Sequence, residues 1–237
     1  MIKEFEKRTS VRYFLNKEIE PEKINKLKEI INLSPTSMNC QAFSAIFITD
    51  QKIKEELSII NFNQEHLKRA PLIVIFVADY NRVQTCCNMN NASDDQIHAL
   101  DHFLVGCVDA TIAASTCNAA ALELGLGCCF LGGIRQGAPK VKELLNLPKM
   151  SFPVIGLTIG YEDKKIPLRP KINKCYDNLY NSETVKNELI EYDKVMEEYY
   201  TKYFNKPTTF SAITSRSLGK IHFPELKDLI EEYFIKK

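Results

Sequence analysis

The sequence predicts a protein of mixed helix and strand, with one main core and a C-terminal appendage, and three observations carry that expectation. Four short runs rich in Ile, Val and Phe (Ala42 to Thr49, Leu72 to Ala78, Phe130 to Ile134, Val154 to Ile159) read as buried strands. Longer segments with the helical spacing of apolar residues separate them. A chain of 237 residues with 45% hydrophobic positions is long enough for one sizeable core, and beyond Pro170 the composition turns polar.

The elements follow in order. Ile24, Leu27, Ile30 and Ile31 form one apolar stripe, which predicts a helix from Glu22 to Leu33, stopped at Ser34-Pro35 because proline cannot continue it. A second helix is expected from Gln51 to about Asn61, followed by a polar stretch to Arg69. Asp94-Asp95 gives the acidic start and Gly125 the stop of the longest periodic segment. Its middle, Val105 to Ala121, is rich in small residues on nearly every face, so burial all round and packing against a second subunit are expected. A helix from Lys140 to Leu145 precedes the last strand. The polar C-terminal part should hold a charged helix from about Glu183 to Phe204, a Thr/Ser-rich loop from Thr208 to Ser217 and a terminal helix from Pro224 to Phe234.

Composition excludes several classes. Lys and Arg number 31 against 30 Asp and Glu, so no global field attracts nucleic acid or an anionic membrane. The first thirty residues lack an apolar signal core, and the expectation is a soluble, cytoplasmic protein. Eight cysteines in a chain of this size, several inside apolar runs (Cys107, Cys117, Cys128, Cys129), read as small buried hydrophobes in a reducing compartment. Cys86-Cys87 followed by His98 and His102 is the one candidate zinc set. Adjacent cysteines do not make the usual knuckle, so no metal is expected.

Four segments carry chemistry. In Arg8-Thr9-Ser10-Val11-Arg12, an extended backbone points Arg8, Ser10 and Arg12 the same way, a set of donors suited to a phosphate. Ser34-Pro35-Thr36-Ser37-Met38-Asn39-Cys40-Gln41 places Asn39 and Gln41 at alternate positions leading into a strand, and their amides offer the donors and acceptors that the pyrimidine edge of a flavin requires. Gly125-Leu126-Gly127 leads through Phe130 and Leu131 to Gly132-Gly133-Ile134-Arg135. It has Phe130 where a dinucleotide fingerprint needs its third glycine, so the Gly-Gly pair is better suited to letting the backbone approach a flat ligand. Farther on, Arg169 and Lys171 lie two apart among prolines, in Ile166-Pro167-Leu168-Arg169-Pro170-Lys171, and could complete the anion site.

These motifs, in this order, resemble the flavin-dependent nitroreductase family over residues 5 to about 171. The C-terminal arm and Gln64-Glu65-His66 are similar to its oxygen-insensitive NAD(P)H nitroreductase and flavin reductase branch. The resemblance implies an α+β fold, with a mixed, largely antiparallel sheet wrapped by helices. It implies a core over 1–171, an arm over 172–237 laid on the core or on a partner, and a homodimer with FMN at the subunit interface. Position by position, Arg8, Thr9, Ser10 and Arg12 would bind the FMN phosphate and ribityl chain or its pyrimidine edge. Ser37, Met38, Asn39 and Gln41 would line the ring from one loop and Gln64 from another. Phe130, Leu131, Gly132 and Gly133 would lie along it, with Arg169 and Lys171 adding cations. The implied activity is two-electron, ping-pong hydride transfer from NAD(P)H to a nitroaromatic, quinone or flavin, with no protein residue as nucleophile or proton donor. The competing classes are a flavin-binding sensor or storage protein without turnover and a metal-stapled structural protein. Two departures stand out. Arg8 occupies a position where relatives often carry His, and the arginine pair thought to hold the NADPH phosphate is represented only by Lys206-Pro207.

Overall fold

In the computed structural model, residues 2–219 and 223–235 are described. They divide into two compact units, Met1–Lys165 with Phe223–Lys237 and Ile166–His222.

In the first unit, α1 (Ile2–Lys7) leads into an extended stretch, then α2 (Pro21–Asn32) and β1 (Phe43–Ile48). Pro21 occupies the first turn of α2, where its missing N–H costs nothing, and Leu27 and Ile31 turn inward. Asp50 caps α3 (Gln51–Ile60) by accepting from the Ile53 N–H. The stretch expected to be polar coil up to Arg69 contains a further short helix, α4 (Glu65–Arg69), whose His66 and Leu67 are buried. There follow β2 (Leu72–Asp79), α5 (Asn81–Met89), α6 (Leu100–Glu123), β3 (Gly127–Leu131), α7 (Ala138–Leu144) and β4 (Ser151–Gly160).

The four strands form an antiparallel sheet in the order β1-β2-β4-β3. Alternate residues of β2 feed two apolar layers. Leu72, Val74 and Phe76 face α6 and α2 with Phe103 and Phe152, whereas Ile73, Ile75 and Val77 face Leu57, Leu67, Ile134 and Val141. β4 starts earlier than the run from Val154 predicts. Proline removes a ladder donor from an internal strand, and here a register shift opposite Phe76/Val77 absorbs Pro153, which pairs with Val77. The strand expected at Phe130 to Ile134 runs instead from Gly127 to Leu131, and Gly132–Arg135 form a tight turn.

Two expectations for α6 change. Asp95–His98 form a separate turn, and the helix begins at Leu100. Nor is it buried all round: it packs on β1, β2, β4 and α2, yet Leu100, Leu104 and Val108 are each more than half exposed. By length and composition α6 could cross a membrane, but its other face is part of the core. The residues after 171 do not all form one arm. Phe223–Lys237 groups with the core, where α10 (Leu226–Ile230) runs into a wider turn, Glu231–Ile235. There Phe234 is fully buried against Tyr80 and Phe103, and its carbonyl lies 2.8 Å from His98 Nδ1.

The second unit contains α8 (Ser182–Phe204) and α9 (Phe210–Leu218). The Thr/Ser-rich stretch is helical because Thr209 caps α9 through the Ala212 N–H and Asp193 of α8 accepts from the Ser211 N–H at 2.8 Å and from its hydroxyl. Tyr192 and Tyr199 donate to the carbonyls of Pro170 and Pro167, pinning the extended segment that bears Arg169.

Candidate functional site

The N-terminal motif lies along β3. The Val11 N–H donates to the Cys128 carbonyl at 3.0 Å, so the chain from Arg8 to Arg12 runs extended beside that strand. Burial raises the Cys129 thiol pKa, while Arg12, Arg8 and a hydrogen bond from Ser10 oppose the rise. Arg8, Ser10 and Arg12 alternate along that extended segment, and all three act on Cys129. Among the described residues neither arginine has a carboxylate partner; Arg8 reaches only the Thr9 carbonyl at 3.4 Å. Gly127 allows this approach, since a Cβ there would sit 2.6 Å from Val11 Cγ2. Gly127→Val is accordingly expected to lift the 8–12 segment off β3, costing about 1–3 kcal/mol in urea unfolding together with flavin retention. A variant with unchanged midpoint and flavin content would contradict that packing.

Gln64 sits at the start of α4, after Phe62 and Asn63, which both have positive φ. This turn meets Gly133, whose missing Cβ leaves room for Asn61 Oδ1 at 2.6 Å from where a Cβ would lie. Beside Gly132 a Cβ would meet only Arg135 Nη2 at 3.7 Å, so that face of the chain is open. Phe130 is the exposed residue of an otherwise buried strand, and Leu131 points into the core. His66, which the sequence did not single out as a site residue, is buried with Nε2 lacking a partner. Burial and the Arg12 guanidinium lower its pKa to about 4, so the imidazole is neutral.

The 36–41 loop stands at the start of β1, on the opposite edge of the sheet from β3. Met38, Asn39 and Gln41 all have positive φ, a costly backbone for Met and Gln. Local bonds hold it. Asp109, nearly fully buried in α6, accepts from the Ser37 N–H at 3.1 Å; the Gln41 N–H reaches Thr36 Oγ1 at 3.2 Å; Gln41 Nε2 donates to Asn39 Oδ1 at 2.6 Å. Arg82 clamps the carbonyls of Gln41 and Phe43. Burial raises the Asp109 pKa against the hydrogen bonds it accepts. An aspartate inside the small apolar run Val108-Asp109-Ala110-Thr111 was the signal that could have identified it.

The structure thus assembles Arg8, Ser10, Arg12, Gln64 and Phe130 to Gly133 around β3 and α4, with Thr9 in the same extended segment. Ser37, Met38, Asn39 and Gln41 form a separate cluster at β1. Arg169, Lys171 and Lys206 belong to the second unit, where the Arg169 guanidinium lies 5.8 Å from the Tyr200 ring centre and Lys206 follows the left-handed Asn205 that ends α8. The residues around β3 fit FMN. Two guanidinium groups without a carboxylate partner among the described residues and a hydroxyl suit its phosphate, and the open side of Gly132 suits the edge of a flat ring.

A nitroreductase family model matches residues 5–161. An "FMN reductase [NAD(P)H]" of Bacillus subtilis is 28% identical over 243 residues, spanning 100% of this chain and 98% of the relative. A "CR(VI) reductase" of Pseudomonas sp. is 31% identical over 204 residues, 84% of each chain. Among solved structures, Bacillus megaterium NfrA2 superposes with a TM-score of 0.94 at 30% identity, covering 98% of this chain and 96% of that one. A family model that spans more than half of the sequence, a relative 31% identical over 84% of the chain and a shared fold lead to one conclusion: this chain belongs to the nitroreductase family.

Proposed function

We propose that the protein is an FMN-dependent NAD(P)H oxidoreductase, a nitroreductase and flavin reductase that works as a cytoplasmic homodimer. The observation that carries this reading is Arg8 and Arg12 in the extended segment bonded to β3, neither with a carboxylate partner among the described residues, together with the open face of Gly132 at the end of that strand. Relatives named as FMN reductase and Cr(VI) reductase support the activity. Eight cysteines free of disulfides agree with a reducing compartment.

Bound FMN supplies the acceptance and donation of hydride; the chain supplies position and field. Arg8 and Ser10 hold the phosphate and ribityl end. Arg12, with neutral His66 behind it, presents positive charge to the ring edge that becomes anionic on reduction, a preorganised electrostatic contribution. Gln64 and the backbone at Gly132 and Gly133 line the ring. The 37–41 amides face outward at the opposite sheet edge, three strand spacings or about 14 Å away, so they serve the site of the partner subunit, which is how a homodimer completes two sites. Arg169 and Lys171 add further cations, and Lys206 meets the nicotinamide dinucleotide.

The purified protein is expected to be yellow, with about one FMN per chain, and to turn over NADH anaerobically with a quinone. A flavin-storing protein would bleach once and stop. Discrimination for NADPH requires a cation fixed on the extra phosphate. Lys206 is a lone exposed lysine, and Arg216 spends its Nε on the Ala212 carbonyl of its own helix. NADPH should therefore be preferred by about tenfold at most, the worth of roughly 1.4 kcal/mol, and the advantage should fall as salt rises. Steady-state kinetics with both nucleotides at low and high ionic strength check this; a salt-independent preference above about a hundredfold would contradict it.

A further inference from the structure

A cleft of about 810 Å³ opens where the end of β1 and the start of β2 meet the segment that follows the arginine motif. One wall is apolar, built from Phe14, Leu15, Ile19, Ile24 and Pro71. The other carries Lys17, Lys54, Lys68 and Arg69, with Glu18 the lone acid among the described lining residues. Three of these cations already have partners: Lys17 lies 3.2 Å from Glu20, and Lys68 and Arg69 lie 3.6 and 3.3 Å from Glu65. All three pairs are largely solvent-exposed, where pairing is weak.

Lys54 is different. Its residue is only 7% exposed, no carboxylate lies within ion-pair distance among the described residues, and Nζ donates to the Ala70 carbonyl at 3.0 Å. An ammonium has three N–H groups, and a carbonyl satisfies one without neutralising the charge. Asp50 and Glu55 act on Lys54 only at a distance, and burial holds its pKa below the usual lysine range. A buried cation that lacks a counter-charge and faces a cavity with an apolar wall is what an amphipathic anion requires.

We propose that this cleft binds a small amphipathic monocarboxylate, its carboxylate on Lys54 Nζ and its apolar body along Phe14, Leu15, Ile19 and Ile24. A single buried ammonium matches a single negative charge. Arg69 is largely exposed and donates to Glu65, so it adds no second buried charge to the cleft. The cleft shares no residue with the flavin or nicotinamide positions.

The test uses FMN-loaded protein and trifluoromethylbenzoate, followed by fluorine NMR. Binding is expected to weaken by roughly tenfold or more in Lys54→Met, the worth of a charge-assisted hydrogen bond, and by as much when the neutral trifluoromethylbenzamide replaces the acid. Leu15→Trp, a change on the half-exposed wall that fills the cleft without entering the core, should abolish the same component. Both variants should keep their flavin and their quinone reduction. Should Lys54→Met fail to fold, Leu15→Trp decides alone. Unchanged affinity in the folded variants, equal binding of the amide, or displacement of the acid by an equal concentration of inorganic phosphate would each overturn the proposal.

Discussion

Arg12→Ala is expected to purify with most of its FMN missing. The guanidinium belongs to the extended segment bonded to β3, its charge acts on Cys129 and His66, and no carboxylate among the described residues pairs with it. Its hydrogen bonds are therefore free for a ligand anion. A charge-assisted bond of this kind is worth about 1.5–3 kcal/mol, which raises the FMN dissociation constant roughly 10- to 150-fold. Flavin absorbance per chain after gel filtration and a titration of apoprotein with FMN give the number. His66 supplies a second readout. Its pKa of about 4 is set first by burial and then by Arg12, so removing the guanidinium should raise that pKa, and an NMR titration of the imidazole follows it. Undiminished flavin in the variant would mean that Arg12 does not contact the bound flavin. Arg12→Lys should recover part of the affinity, because a point charge remains while the planar fork is lost.

The second large effect is expected at Leu104. With Leu100 and Val108 it forms a row four residues apart on α6, three apolar side chains that the chain itself leaves more than half exposed. In the proposed homodimer this row is covered by the partner, in an obligate interface above roughly 2,000 Å². Leu104→Glu would bury an unpaired carboxylate there, a cost of several kcal/mol, and should yield a monomer of 27.1 kDa. Because the 37–41 loop and the β3 cluster lie on opposite edges of the sheet, the monomer should also release its flavin. Light scattering coupled to absorbance reads both at once. A flavin-loaded wild-type monomer, or a Leu104→Glu dimer with full flavin, would refute the interface.

Element by element, the chain was most legible where one residue type decides the backbone. Ser34-Pro35 and Gly125 set helix ends within one or two residues of their observed places, and the β-branched runs located all four strands. The start of β4 was missed because Pro153 argues locally against an internal strand, while the sheet as a whole accommodates it with one bulge. α9 was missed because Thr and Ser favour loops, until Asp193 and the Thr209 cap supply what the helix start lacks.

Sequence alone determined the family and the period-two alignment of Arg8, Ser10 and Arg12, since alternation follows from extended geometry without any partner. It also determined the absence of a global charge field. Only the tertiary structure decided which strand receives that motif, that Gly127 lets it approach, and that Asp109 stands behind the 36–41 loop and the charge of Arg12 acts on a buried His66. It alone showed that α6 has an exposed apolar face, which composition cannot reveal when small residues occupy every side. It also returned Phe223–Lys237 to the core. The physical reason is the same each time. Local pattern fixes what a segment prefers to be, but burial, close approach and the partner of a charge depend on segments far away in sequence, and these meet only when the sheet and its two apolar layers close.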